Sequence, residues 1–197
     1  MNRSHILAFA VTAAVATFAQ AAPSQLPASN PFAKPSTLPF QYPAFDKIKN
    51  EDFAPAFEEG MRQQSAEIDA IANSKAAPTF QNTIVAMERS GQLLNRVSSV
   101  FYNLVGANTN DTLNALDKEL APRLAAHSDK IRLNEKLYKR IKTLYDKREQ
   151  LHLDAESAYL LERYHTDFVR AGAQLSASDK IKLKAYNAKI AALQTQF

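Results

Sequence analysis

Residues 78–104, PTFQNTIVAMERSGQLLNRVSSVFYNL, decide how the rest of the chain is read. Phe80, Ile84, Met87, Leu94, Val97, Phe101 and Leu104 recur at steps of three and four, the period that lines one face of an α-helix. The spacing predicts one long helix. Its start is written locally, because the Thr79 hydroxyl can accept from a first-turn N–H that has no partner inside the helix. Gly106 stands where a left-handed residue would end it. Gly91 interrupts the middle at a cost of about 1 kcal/mol relative to alanine, which implies a close helix neighbour or a bend. A face this broad requires partner helices, and the flanking sequence supplies them.

Upstream, a helix is expected from Asn50 or Asp52 to about Asn73, with Phe53, Phe57, Met61, Ile68 and Ile71 on one side and Pro55 in its first turn. Residues 74–78 form a short loop. Downstream, Asn108 or Thr109 can cap a helix carrying Leu113, Leu116, Leu120 and Leu124. Pro122 falls inside it and removes one backbone hydrogen bond, so a kink or break is expected there. Asn134 restarts helix through Leu137, Ile141, Leu144 and Leu151. Asp154 caps another, with Leu161, Tyr164 and Phe168, that ends near Gly172. Ser176 and Asp179 resemble a capping box ahead of a last helix through Leu183, Tyr186, Ile190, Leu193 and Phe197. The apolar spacing is still in register at Phe197, so the chain is expected to be cut in mid-helix. No strand-like alternation of useful length occurs, and the fold class is all-α, with about six helices.

Three segments follow from composition. Arg3 and His5 precede the apolar run 6–18, and Ala19-Gln20-Ala21 has the small-x-small pattern of a cleavage site, so residues 1–21 read as a secretory signal. The run is shorter than the roughly 20 residues that cross a bilayer, which disfavours a membrane anchor. No membrane partner is expected after cleavage, and in a Gram-negative source the location would be the periplasm. Residues 22–49 form an arm with proline at every fourth position from Pro23 to Pro43, which excludes regular helix and predicts an extended course. Phe32, Phe40, Tyr42 and Phe45 lie among the prolines and are expected to anchor the arm on the helical body. A proline-rich ligand for a partner domain is the disfavoured alternative. Residues 50–197 form the helical domain.

With no cysteine in 197 residues, burial alone must hold this fold, whatever the redox compartment. The formal charge of +4 falls by one with Arg3 and is mixed along the chain, which argues against a nucleic-acid partner. The densest basic run, Lys130, Arg132, Lys136, Lys139, Arg140, Lys142, Lys147 and Arg148, carries Tyr138 and Tyr145 but also Asp129, Glu135, Asp146 and Glu149. It reads as a solvated helix face, with a positive wall for an anionic or C-terminal carboxylate ligand as the functional alternative. His127, His152 and His165 include no i, i+4 pair that would aim two imidazoles at one metal. His165 beside Glu162 and Asp167 could serve as a base, but reads as a half-buried polar group. Ser90-Gly91 lacks the sharp turn of a nucleophile elbow. Glu58 with Glu59 and Asp117 with Glu119 are too close in sequence to face each other on a helix.

Taken together, NPF at residues 30–32, LPFQYPAFDKIKNEDFAPAFEEGM from Leu38, APTFQNTIVAMERSG from Ala77, LAAHSDKIRLNEKLYKRIKTLY from Leu124 and LDAESAYLLERYHTDFVRAGAQLS from Leu153 resemble the amino-terminal half of the thimet oligopeptidase family of zinc metallopeptidases. Within it they resemble the bacterial peptidyl-dipeptidases of the Dcp type. The resemblance implies a parent enzyme that releases dipeptides from the free C-termini of short, unfolded peptides, with this helical region as one wall of a deep channel. It also implies a zinc held by a His-Glu-x-x-His helix and a downstream glutamate, where the metal acidifies its bound water. The chain ends before any such motif. No catalytic, cofactor-binding or metal residue is therefore assigned to it, and alone it is expected to be inactive and zinc-free, with the carboxy-terminal catalytic domain as its missing partner. The alternative is a complete small helical protein of the cell envelope that holds peptides without cutting them.

Overall fold

The computed structural model describes residues 25–195, and these are all-α: among them there is no strand. The expected signal at residues 1–21 and the in-register Phe197 lie outside the described residues. The body is built from α1 (Phe53–Ala72), a π-helical turn (Gln81–Val85) running into the short α2 (Ala86–Glu88), α3 (Gln92–Ala107), α4 (Asp111–Arg132), α5 (Glu135–Asp146), α6 (Ala155–Arg170) and α7 (Ala177–Gln194).

The stretch 78–104 is not one helix. Gly91 has φ +71°, a left-handed conformation open to glycine at little cost, and its N–H donates to Glu67 Oε2 of α1 at 2.7 Å. The chain turns there, and the apolar stripe is divided between two cores. Ile84 and Met87 join Ile68, Ile71, Leu137, Ile141, Leu144, Leu161 and Phe168. Val97 and Phe101 join Phe32, Phe53, Phe57, Leu113 and Leu120. The period in the sequence is helical on both sides of the turn, so it could not show that the two halves face different partners. α1 contributes fully to both cores: Phe53 and Phe57 enter one, Ile68 and Ile71 the other.

α3 lies tightly against α1, and Gly60 permits it. A Cβ on Gly60 would stand 2.9 Å from the Leu94 backbone N and Cα, closer than packed atoms tolerate. Beside this contact Phe101 meets Phe53 and Phe57 edge-on, with ring centroids 5.2 Å away in both cases, a favoured geometry for aromatic pairs.

Local end signals operate where the sequence places them at four helices. Thr79 Oγ1 accepts from Asn82 N–H at 3.1 Å and Asn82 Oδ1 accepts from Thr79 N–H at 2.8 Å, a reciprocal cap. Asn134, Asp154 and Ser176 accept from Leu137, Ser157 and Asp179 N–H. Elsewhere the structure departs from expectation. Gly106 lies inside α3 without a left-handed φ, and the helix stops at Asn108. The cap of α4 is Asn110, whose side chain accepts from Leu113 N–H at 3.0 Å, rather than Asn108 or Thr109. No break occurs at Pro122. α4 runs through it, held by fully buried Leu120 and by Arg123, which bridges Glu119 and Glu58 of α1. α5 ends at Asp146, so Leu151 reaches the core from beyond a following 3-10 turn.

The arm is folded rather than extended, with 3-10 turns at Pro39–Gln41 and Phe45–Lys47, and a third, Asn50–Asp52, leads directly into α1. Two of its four aromatic anchors act as expected: Phe32 is buried 5.4 Å from the Phe53 ring, and Phe45 packs against the same core. Phe40 and Tyr42 do not; both are exposed, because Phe40 and Gln41 adopt positive φ in a tight turn that carries them off the body.

Replacing Gly60 with alanine is expected to lower unfolding stability by about 1–3 kcal/mol, the usual cost of overpacking. Urea titration followed by circular dichroism checks this, with Gly106→Ala, where an added Cβ meets nothing within 4 Å, as the neutral or slightly stabilising control.

Candidate functional site

Of the histidines weighed from the sequence, His127 and His165 are drawn into packing, and His152 is exposed. His165 stacks on Tyr145 with ring centroids 3.8 Å apart and planes within 1° of parallel, and more loosely on Tyr138 at 6.0 Å. Burial holds its pKa below the ordinary histidine value. Asp167, its expected acidic neighbour, pairs with Arg163 instead at 3.2 Å. His127 Nε2 meets Gln64 Oε1 at 2.7 Å, and burial and the Lys130 charge both lower its pKa. His152 sits at φ +48° in the turn before α6. Among the described residues no group of three or more His, Cys, Asp or Glu side chains could hold a metal ion.

The carboxylates and Ser90 are likewise engaged. Ser90 Oγ donates to Met87 C=O at 2.7 Å, and Glu88 accepts from Tyr164 OH at 2.5 Å. Burial first, and that carboxylate second, push the tyrosine pKa up. Glu58 reaches outward to Arg123, whereas its neighbour Glu59 is buried. The basic run disperses. Arg140 is buried and donates to Ser74 C=O, Ala76 C=O and Asn82 Oδ1 at 2.8–3.2 Å, so it ties the 74–78 loop to α5. Tyr138 lies in the core. Lys130, Lys142 and Arg148 pair with Asp69, Asp146 and Glu149.

Glu59 is the chemically most perturbed carboxylate of the domain. Arg62 donates to it twice, Nε to Oε2 at 2.7 Å and Nη2 to Oε1 at 2.8 Å; Gln63 Nε2 and the Gln25 backbone N–H donate to Oε1 at 2.7 and 3.0 Å. The Arg62 hydrogen bonds, outweighing burial, hold its pKa at about 2 instead of 4.5. Through Gln25 this carboxylate fastens the beginning of the described arm to α1.

Between the arm and α3 lies a cleft of about 730 Å³, within the usual range for ligand pockets. Its arm side includes Phe32, Lys34, Leu38 and Lys47, and its helical side Asn95 and Arg96. Two contacts shape its floor: Asn30 Nδ2 donates to Asp52 C=O at 3.0 Å and Asn30 Oδ1 accepts from Phe32 N–H at 2.9 Å. Arg96 Nη2 donates to Phe32 C=O at 3.2 Å. Sequence reasoning did not single out Arg96. A signal existed: it is the lone cation between Arg89 and Lys118, and no acidic residue stands three or four places from it.

An all-α domain with a half-wrapped arm and a cleft beneath it is the class that this geometry defines. No family model matches the chain. Curated relatives do: a dipeptidyl carboxypeptidase of Escherichia coli is 48% identical over 168 residues, 85% of this chain and 25% of the relative. One of Salmonella typhimurium is 47% identical over 169 residues, 86% of this chain and 25% of the relative. The chain is similar to these dipeptidyl carboxypeptidases, in agreement with the resemblance read from the sequence, and spans about a quarter of their length.

The Glu59 cluster predicts the acid limb of stability. Because the carboxyl binds its proton less readily in the folded chain than in the unfolded one, its contribution is complete above about pH 4.5 and is lost as pH falls toward 2. Glu59→Gln is expected to lower stability by about 1–3 kcal/mol at neutral pH and to flatten this limb. Thermal unfolding between pH 2 and 7 measures both; an unchanged acid limb in the variant would exclude Glu59 as its source.

Proposed function

We propose that this chain is the amino-terminal, channel-wall part of a zinc-dependent peptidase that removes dipeptides from the free C-termini of short, unfolded peptides. The observation that carries the reading is the 48% identity to a dipeptidyl carboxypeptidase over nearly the whole chain. The zinc would be held elsewhere in the polypeptide, since the described residues supply no ligand cluster. Residues 1–21 would direct export, in a Gram-negative source to the periplasm, and be removed.

α7 supports a continuation of the body. Tyr186, Ile190 and Leu193 are all exposed and stand four and three residues apart, on one helical stripe. Toward the body the same helix makes polar contacts: Asn187 Nδ2 to Asp129 Oδ1 at 2.8 Å, and buried Lys180 to Glu135 at 3.1 Å. Leu183, Ala188, Ala191 and Ala192 are partly buried, so the stripe through Tyr186, Ile190 and Leu193 is a second apolar surface, which an ordinary surface helix lacks. The carboxy-terminal catalytic domain, for which relatives more than three times as long as this chain have room, is its proposed cover.

The coding frame is expected to continue past residue 197 into a His-Glu-x-x-His segment. The whole polypeptide should bind one zinc per chain and lose peptide cleavage to a chelator, while the 197-residue chain alone does neither. Metal-dependent cleavage by the isolated chain, surviving strict purification, would overturn this division of labour. A stop codon after Phe197 would favour a peptide-holding protein instead. Ile190→Asp separately tests the α7 stripe: an exposed substitution changes the stability of the 197-residue chain by at most about 0.5 kcal/mol but should cost several times that in the whole polypeptide.

A further inference from the structure

Arg96 and Arg140 are the two arginines whose Nε is shut off from solvent without a hydrogen-bond partner. Arg140 is otherwise satisfied, with two backbone carbonyls and one side-chain oxygen on its Nη groups. Among the described residues Arg96 has a single acceptor, the Phe32 carbonyl, and no carboxylate pairs with it. Burial alone accounts for its lowered pKa. A half-buried guanidinium is normally paired, because a cation removed from water without a counter-charge is costly. Here the unpaired cation lines a cleft.

The rest of the cleft matches the missing counter-ion. Gln92, Asn95 and Ser99 line it at helical steps beside Arg96, and none of their side chains makes a hydrogen bond among the described residues. Lys34 and Lys47 also line it and are in no ion pair there, so with Asp46 the wall keeps a positive balance. Pro31, Leu38 and Val100 supply apolar surface. One planar cation with amides and a hydroxyl in line, against apolar walls, suits one carboxylate joined to a short apolar body. A compact dianion would need its charges met at one point, and the two lysines are exposed on the arm.

We propose that the cleft between the arm and α3 is a binding site for a short, apolar carboxylate, chemically a peptide C-terminus, with the Arg96 guanidinium as its counter-ion. The site belongs to this chain, so it goes beyond the peptidase reading and would survive its failure. The carboxylate neutralises Arg96, and the Gln92, Asn95 and Ser99 side chains are placed to meet the peptide groups behind it.

The test is calorimetric titration of the 197-residue chain with acetyl-trialanine as the free acid, its carboxamide, acetate and inorganic phosphate. The acid is expected to bind at least tenfold tighter than the carboxamide. Acetate binding as tightly as the peptide acid would assign the site to small organic acids as the source of the same carboxylate. Arg96→Gln should weaken the acid at least tenfold and leave the carboxamide unchanged; Arg96→Lys, which keeps the charge but loses the planar fork, should fall between. Should Arg96→Gln unfold, backbone amide shifts of residues 28–38 in the native chain decide: they should move with the acid and not with the carboxamide. Equal affinity for acid and carboxamide, tighter binding of phosphate, absence of acid binding, or shifts confined to other segments would overturn the proposal.

Discussion

The architecture depends on the close approach of two helix backbones. α3 can lie on α1 only because residue 60 has no side chain, leaving 2.9 Å between the position a Cβ would take and the Leu94 backbone. Gly91 sets the direction in which α3 leaves this contact, with its left-handed φ and its N–H fixed on Glu67. A Cβ at Gly91 would stand 2.4 Å from the Gln64 side chain. The positions 60, 64 and 67 follow helical spacing on α1, so one face of α1 dictates where the preceding segment ends and α3 begins. Both cores follow from that, and so does the arm, because Phe53 can carry Phe32 only once Phe101 supports it from α3.

Much of the fold was legible because it is written in local chemistry. A threonine, asparagine, aspartate or serine ahead of an apolar period caps its helix through a bond spanning three residues, and Thr79, Asn134, Asp154 and Ser176 do so irrespective of the rest of the molecule. The errors fall where distant residues decide. The turn at Gly91 is fixed by a carboxylate 24 residues away. Pro122 does not break α4 because Leu120 is packed and Arg123 is tied to Glu58, 65 residues away. Four aromatic residues in a proline-rich arm look alike in sequence, yet only those whose backbone can face the Phe53 core are buried.

The cleft was illegible for a different reason. Reading for chemistry means reading for clusters, and the clusters here are structural: His165 lies in an aromatic stack, Arg140 secures a loop, and the basic run is dispersed, Lys130 toward Asp69 of α1 and Lys142 toward Asp146 of its own helix. Arg96 is conspicuous for the absence of company in sequence, an isolated charge within an apolar helix. That absence gains meaning only when the arm folds over it, since an exposed lone arginine is fully hydrated and one beneath an arm is not.

The same reasoning separates the two ends of the domain. At the arm end Phe32 is buried while Phe40 and Tyr42 stand exposed, and beneath the arm lies a cavity lined by an unpaired cation. At α7 the inward Lys180 and Asn187 are paired, and what remains open is hydrocarbon. Water tolerates exposed hydrocarbon in isolated residues but disfavours it as a continuous stripe, and here Tyr186, Ile190 and Leu193 form a stripe. Polar pairs such as Lys180 with Glu135 and Asn187 with Asp129 orient α7 on α4 and α5 at small net gain. The helix is thereby presented with Tyr186, Ile190 and Leu193 outward, where their burial energy is not realised.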